Sequence, residues 1–259
     1  MRTLDQLLAL NDMLLSEQPQ YRAQAAAFPP EPASQWRLFR ALVNIRAPRP
    51  VSEAFLALQD SLLKAQIAEK GVTTLDALTP LQGNLYLWKG DITTLQVDGI
   101  VNAANSGLTG CYCPGHSCID NAIHTFAGVQ LRLECAAMMQ AQGHPDPVGT
   151  AKITKAYNLP CRAVLHTVGP MVTGKPSERD RASLAACYRA CLELAALHAL
   201  QSLAFCCIST GVFHFPRQEA AEIAVGTVKA YWAAHPGMSI VFNVFQDEDE
   251  QIYRRLLNR

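Results

Sequence analysis

Charge is scarce in this chain and cancels where it occurs. Charged side chains make up 17% of it, with 22 Lys plus Arg against 22 Asp plus Glu. A net charge of zero gives no long-range field toward a polyanion or an anionic bilayer, so neither nucleic acid nor membrane is an expected partner. No run of 18 apolar residues occurs, and Met1-Arg2-Thr3-Leu4-Asp5 opens the chain without the apolar core of a secretory leader. Internal repeats and low-complexity tracts are also missing. Nine cysteines is an odd number, which speaks against a framework of paired disulfides and for a reducing, cytoplasmic setting. Thiols there serve metal binding or core packing.

One stretch concentrates the chemistry. Gly99-Ile100-Val101 reads as an apolar strand, and Asn102-Ala103-Ala104-Asn105-Ser106 follows it. Cys111, Cys113, His116 and Cys118 then fall within eight residues, ahead of a helix starting near Ser117 and carrying Asp120 and His124. Soft metal sites have this density of thiolate and imidazole. All four could close a tetrahedral structural zinc site; any three would leave a position open to water or a substrate oxygen, as catalytic sites do. His116 and Cys118 can converge from a Pro114-Gly115 turn with Cys111 reaching across. Cys113 stands at alternate spacing to Cys111, so an extended segment would point both to one side, and spacing leaves it open as a fourth donor. No second Cys-x-x-Cys or His-x-x-His pair follows downstream, which favours the open site over a structural finger. A cluster of reduced structural cysteines is the plainer alternative.

The chain's 259 residues and 49% hydrophobic share suit one large domain, or one domain with a smaller appendage. Residues 1–80 read as a helical N-terminal extension packed on the main domain. Leu4 to Leu15 recur at helical spacing up to Pro19; Trp36 to Ile45 form a second run; Ser52 caps a third, stopped by Gly71. From Leu85 strands alternate with helices. Strands are expected at 85–88, 97–101, 151–157, 163–168, 203–208 and 239–244, and helices over 119–142 (interrupted near Gly128), 178–200, up to Ala234, and from Asp247. This is an α/β pattern: a central mixed, largely parallel sheet with helices on both faces, in three layers.

Two further loops could contact a nucleotide. Ser209-Thr210-Gly211 lies between a strand and a helix opened by Pro216, so its backbone N–H groups could cradle an anion, although a plain connecting turn has the same composition. Asp91 follows Gly90 at a strand end, where its carboxylate could accept from an exocyclic amine or simply cap a turn.

Taken in order, Gly90-Asp91-Ile92-Thr93, Asn102-Ala-Ala-Asn105-Ser106, Ile119-Asp120-Asn121-Ala-Ile-His124 with Ala127-Gly128, His166-Thr-Val-Gly-Pro170 and Ser209-Thr-Gly211-Val-Phe213 resemble the motifs of the macrodomain family of ADP-ribose-binding modules and hydrolases, over residues 83–259. Where most members have a glycine-rich loop this chain has Cys111 to Cys118. In that, and in the helical extension, it is similar to the zinc-containing macrodomain subfamily. The resemblance implies that Asp91, with Ile92 beside it, binds the adenine. Asn102 and Asn105 would lie along the distal ribose, Asn105 the closer. Ser209, Thr210, Gly211, Val212 and Phe213 would wrap the diphosphate. Cys111, His116 and Cys118 would hold one Zn2+ per chain, with Cys113 a neighbour, and Asp120 with Asn105 would be catalytic. His214 stands where many members have glycine. The implied activity is zinc-dependent hydrolysis of mono-ADP-ribose from Asp or Glu side chains of modified proteins by a cytoplasmic monomer. A non-catalytic ADP-ribose reader and a hydrolase of O-acetyl-ADP-ribose or a similar small derivative are the alternatives. Relatives of the zinc type are associated with a sirtuin-like ADP-ribosyltransferase, and a lipoyl-carrier protein is the implied substrate.

The remaining residues carry plainer expectations. His124 and the other six cysteines should pack the core, and His144, His198 and His235 should meet solvent. Phe242, Phe245 and Tyr253 could line an adenosine pocket but also fit a core stripe.

Overall fold

A computed structural model describes residues 3–258. The extension comprises α1 (Thr3–Glu17), a short α2 (Arg22–Ala25), α3 (Pro32–Ile45) and α4 (Glu53–Lys70). Ser52 caps α4 by accepting the N–H of Phe55, and Gly71 ends it at φ 88°. These helices bury Leu7, Leu10, Leu14, Phe39, Leu42, Phe55, Leu62 and Leu63 in the same apolar core as the strands that follow. Polar contacts join them to the rest of the chain as well. Gln59 accepts the N–H of Val129 at 3.0 Å and donates to Gln130 at 2.8 Å, and Asp60 accepts from Asn158 at 2.8 Å. The helices of residues 3–70 therefore pack directly against the elements that follow them.

Strands β1 (Thr73–Thr74), β2 (Pro80–Gln82), β3 (Leu85–Lys89), β4 (Leu95–Gln96), β5 (Gly99–Ala103), β6 (Ala151–Lys155), β7 (Ala163–Thr167), β8 (Ser202–Phe205) and β9 (Ser239–Val244) alternate with α5 (Ile119–Ala127), α6 (Val129–Gln142), α7 (Glu178–Leu197), α8 (Arg217–Ala234) and α9 (Asp247–Leu257). Seven strands form one sheet in the order β2-β3-β9-β8-β5-β7-β6, while β1 and β4 pair separately. The five central strands are parallel; β2 and β6 run antiparallel at the edges. Every residue of β7 and β8 is buried, so both sheet faces are covered, as mixed α/β sheets with flanking helices require. Parallel strands place their carboxyl ends on one edge, so Asp91, Asn102, Gly169, Cys206 and Phe245 come to one side of the sheet.

Boundaries differ where the apolar signal outruns the pairing. The strand expected over 97–101 pairs from Gly99 to Ala103, and that over 203–208 leaves the sheet after Phe205 although Cys206 and Ile208 stay buried. Helix α7 ends at Leu197, and Ala199 follows at φ 52°. The two-residue strands β1 and β4 are too short to show any periodicity. The interruption near Gly128 is real: its φ is 97°, and a Cβ there would lie 2.6 Å from both Gln59 and Gln130.

A fold in which extension and sheet share one core melts as one unit. Phe39 is fully buried, and Phe39→Ala should destabilise the protein by about 3–5 kcal/mol while preserving a single unfolding transition in calorimetry. A separate low-temperature transition would show that the extension is an independent module.

Candidate functional site

Helix α5 begins at Cys118, whose thiol accepts the N–H of Asn121 at 3.4 Å. The segment from Gly110 to Ser117 forms neither helix nor strand, and it folds back so that Cys111, His116 and Cys118 face one another. Their donor atoms lie within 4.8 Å of each other, with Cys111 Sγ 3.6 Å from His116 Nδ1. Cys113 is exposed and outside that group. Two sulfurs and one imidazole nitrogen at this separation fit a tetrahedral zinc ion with one position left over. In the bare site the Cys118 thiol is pushed up to about 12, chiefly by burial, with the Asn121 N–H opposing and Cys111 and Asp120 reinforcing. A cation binding here must therefore displace a proton.

Next to these donors sits a buried carboxylate. Asp120, 5% exposed, accepts from Asn102 Nδ2 on one oxygen at 2.8 Å and from Asn105 Nδ2 on the other at 3.2 Å. Burial pushes its carboxyl up to about 6, against the two amides and the charge of Arg132. Asn102 is completely buried, its amide shared between Asp120 and His166 Nδ1 at 3.2 Å. The sequence led us to expect both amides along a ribose with Asn105 the closer, and of the two it is Asn105 that is partly exposed. Asn105 is half-buried and also donates to the carbonyl of Gly110 at 3.1 Å, one residue before Cys111.

Under this layer His124, Cys135 and His166 form a second group of donor atoms within 4.8 Å of one another, all buried. Thr154 Oγ1 lies 2.9 Å from His166 Nε2 and Cys135 Sγ 3.8 Å from it. Burial holds His166 down at about 4 and His124 well below its usual value. The site floor is therefore neutral. Core packing of His124 is what the sequence led us to expect, but the coupling of His166 to Asp120 through Asn102 has no signature in local spacing.

The other motifs arrive along the same sheet edge. Asp91 Oδ1 accepts from the N–H and hydroxyl of Thr93 at 3.0 and 2.6 Å, and Oδ2 accepts from Lys70 at 2.7 Å. Burial alone would raise its carboxyl, but the bonds from Lys70 and Thr93 hold it below the usual value. Ile92 is buried, so it offers a ligand only its backbone. In the loop after β8, Phe215 donates to Ser209 and Thr210 to Cys207. Among the described residues nothing accepts from the backbone N–H groups of Gly211, Val212 and Phe213, which leaves three adjacent donors for an anion. Thr210, expected to join them, is turned inward. Ser209 and His214 hold φ 66° and 57°, so His214 adopts the left-handed backbone that glycine takes more easily. Gly169 is needed beside this loop, since a Cβ would come 2.1 Å from Ser209 Oγ. Phe245 is 73% exposed at the end of β9, whereas Phe242 and Tyr253 are core residues.

Similarity to known proteins points the same way. The family described as Macro domain matches residues 101–224. A Treponema medium protein named protein-ADP-ribose hydrolase is 53% identical over 254 residues, covering 96% of this chain and 97% of the relative. A protein of the same name from Staphylococcus aureus strain MSSA476 is 51% identical over 227 residues, covering 86% and 85%. The solved Trypanosoma brucei macrodomain in complex with ADP-ribose aligns with a TM-score of 0.64 at 31% identity, over 83% of this chain and 94% of that one.

The neutral histidines have a consequence for acid stability. Each is uncharged when folded and titrates near 6.5 when unfolded, so the unfolded state binds more protons below that pH and stability is lost as pH falls from 6.5 toward about 4. Asp120 works the other way over roughly the same range, since its folded value is raised, but two histidines outweigh one carboxylate. Urea midpoints of the metal-stripped protein should fall over that window, and His166→Gln should flatten the fall. A midpoint independent of pH there would contradict a neutral, buried floor.

Proposed function

The chain belongs to the macrodomain family, and from that premise we propose that it is a protein-ADP-ribose hydrolase that uses zinc bound by Cys111, His116 and Cys118 to release mono-ADP-ribose from acidic side chains. It is an enzyme by its likeness to two relatives of that name that cover most of its length. The observation that carries the metal reading is the bond from Asn105 to the Gly110 carbonyl: the amide assigned to the ribose and the first metal donor are tied together one residue apart. That coupling supports a reading in which the sugar and the metal would be neighbours.

Each residue then has a task. Asp91 accepts from the adenine amino group on the carboxylate that Lys70 and Thr93 keep ionised. Gly211, Val212 and Phe213 donate to the diphosphate, binding energy that is remote from the bond being cut. Phe245 offers its exposed ring to the base. Zinc held by Cys111, His116 and Cys118 would supply a Lewis acid for a ribose hydroxyl or a water. Asn105 orients the ribose, and Asp120, held by Asn102 and Asn105, positions a water and takes up its proton. No hydrogen bond joins Asp120 to Cys111, His116 or Cys118, which favours this role over support of a metal donor. The protein substrate follows from the resemblance to the zinc subfamily: a lipoyl-carrier protein modified by a sirtuin-like transferase.

Incubation with an Asp- or Glu-linked ADP-ribosylated protein, with the product identified by mass, should show free ADP-ribose. Release should stop with a chelator and return with zinc. Cys118→Ser should lose both zinc and turnover while retaining ADP-ribose binding, and Cys113→Ser should keep all three. Undiminished turnover in metal-free protein would refute the metal's role, and tight ADP-ribose binding without turnover would identify a reader.

A further inference from the structure

Helix α3 of the N-terminal extension reaches the backbone of the metal loop. Arg40 Nη2 donates to the carbonyl of His116 at 2.7 Å, and Arg40 Nε and Nη2 donate to Asn121 Oδ1 at 3.1 and 2.8 Å. One turn later on the same face of α3, Asn44 Oδ1 accepts from the N–H of Gly115 at 3.0 Å and from Asn121 Nδ2 at 2.9 Å. Asn121 Nδ2 also donates to the Cys113 carbonyl at 3.0 Å. The helix bearing these two residues is itself fixed. Buried Arg132 of α6 donates to the carbonyls of Val43, Asn44 and Arg46 at 2.9, 2.7 and 2.7 Å, and its guanidinium lies 4.4 Å from the ring of Tyr112 in the metal loop.

We propose that Arg40 and Asn44 are positioning residues of the metal centre, so that the extension is part of that centre. The inference rests on the reading of Cys111, His116 and Cys118 as zinc donors. Between Gly110 and Cys118 the loop's own backbone makes one bond, His116 N–H to the Cys113 carbonyl at 3.2 Å. A loop so lightly tied would be ordered only when the ion arrives, and that entropy would weaken binding. Arg40 holds the peptide after His116 and Asn44 the Pro114–Gly115 peptide one link before it, so the backbone carrying the imidazole is tied on both sides before any metal is present. Losing outer partners of metal donors typically costs about 10–100-fold in metal affinity. The two residues touch the loop's peptides and Asn121, and never the donor atoms, so they act through placement.

The test compares full-length wild type, Arg40→Ala, Arg40→Lys and Asn44→Ala with Gln59→Ala, which weakens the same interface away from the loop. Zinc content, the rate of zinc transfer to a chromogenic chelator and the urea midpoint of the stripped protein are read for each. Arg40→Ala and Asn44→Ala should release zinc about 10–100-fold faster than wild type. Arg40→Lys keeps the charge but loses the fork, so it should fall between and carries the comparison if Arg40→Ala does not fold. Gln59→Ala should lose stability yet release zinc at the wild-type rate. Loop variants that release zinc no faster than Gln59→Ala overturn the proposal. A wild-type protein that binds no zinc overturns the metal reading, and this inference with it.

Discussion

Cys118 accepts the N–H of Asn121 and so fixes where helix α5 starts, and the arrangement of the site depends on that start. Neighbouring residues of a helix point in different directions, and those three or four apart share a face. From the first turn Cys118 turns to Cys111 and His116, Asp120 to Asn102 and Asn105, and Asn121 to Arg40 and Asn44. His124, one turn further, lies on the neutral floor. The exposed N–H groups at a helix start carry partial positive charge, which favours a thiolate and a carboxylate there. A slip of one residue would turn all four side chains away from their partners at once.

That geometry also governs the electrostatics. A carboxylate buried beside two histidines would ordinarily hold at least one of them charged, and the ion pair would then fix the proton in place. Here both imidazoles are desolvated enough to stay neutral, so Asp120 is hydrogen-bonded by two amides while the His124 ring, 3.6 Å away, brings it no charge. The charge that acts on it is that of Arg132, whose hydrogen bonds go to the carbonyls of α3. The carboxylate is positioned without being strongly paired, an arrangement suited to a group that must accept a proton and give it up again. Its upward shift, with burial as the largest cause, follows from the same isolation.

Local features of the chain were legible before the fold was known. The alternation of apolar runs announced the sheet, Ser52 and Gly71 marked the ends of α4, and the density of Cys111, Cys113, His116 and Cys118 marked a donor cluster, although spacing left open which of the four face one another. Contacts across long stretches were hidden. Arg40 and Asn44 lie on an amphipathic helix where an exposed-looking arginine and asparagine carry no signal of their own, and their partners stand some 71 to 81 positions away. Lys70, in the last turn of α4, meets Asp91 across 21 positions, close to where β1 pairs with β4. Asn102 was placed by the family resemblance along a ribose, behind Asn105; its pairing opposite His166 became visible only with the register of β5 to β7.

The loop after β8 and Asp91 are held in their shapes by different means. Ser209 and His214 hold left-handed backbone at a cost of order 1 kcal/mol or more each, and the chain sustains that because Gly169 lets Ser209 close against it and Phe215 is anchored in the core. The strain turns three consecutive N–H groups outward, with no intrachain partner to be displaced. Asp91 is held differently: Thr93 bonds one of its oxygens and Lys70 the other, and Lys70 comes from α4. The helices of the extension therefore touch both candidate ends of the site, α4 at Asp91 and α3 at the Cys111–Cys118 loop, and under the proposed function a ligand reaching from one to the other would sense them at each.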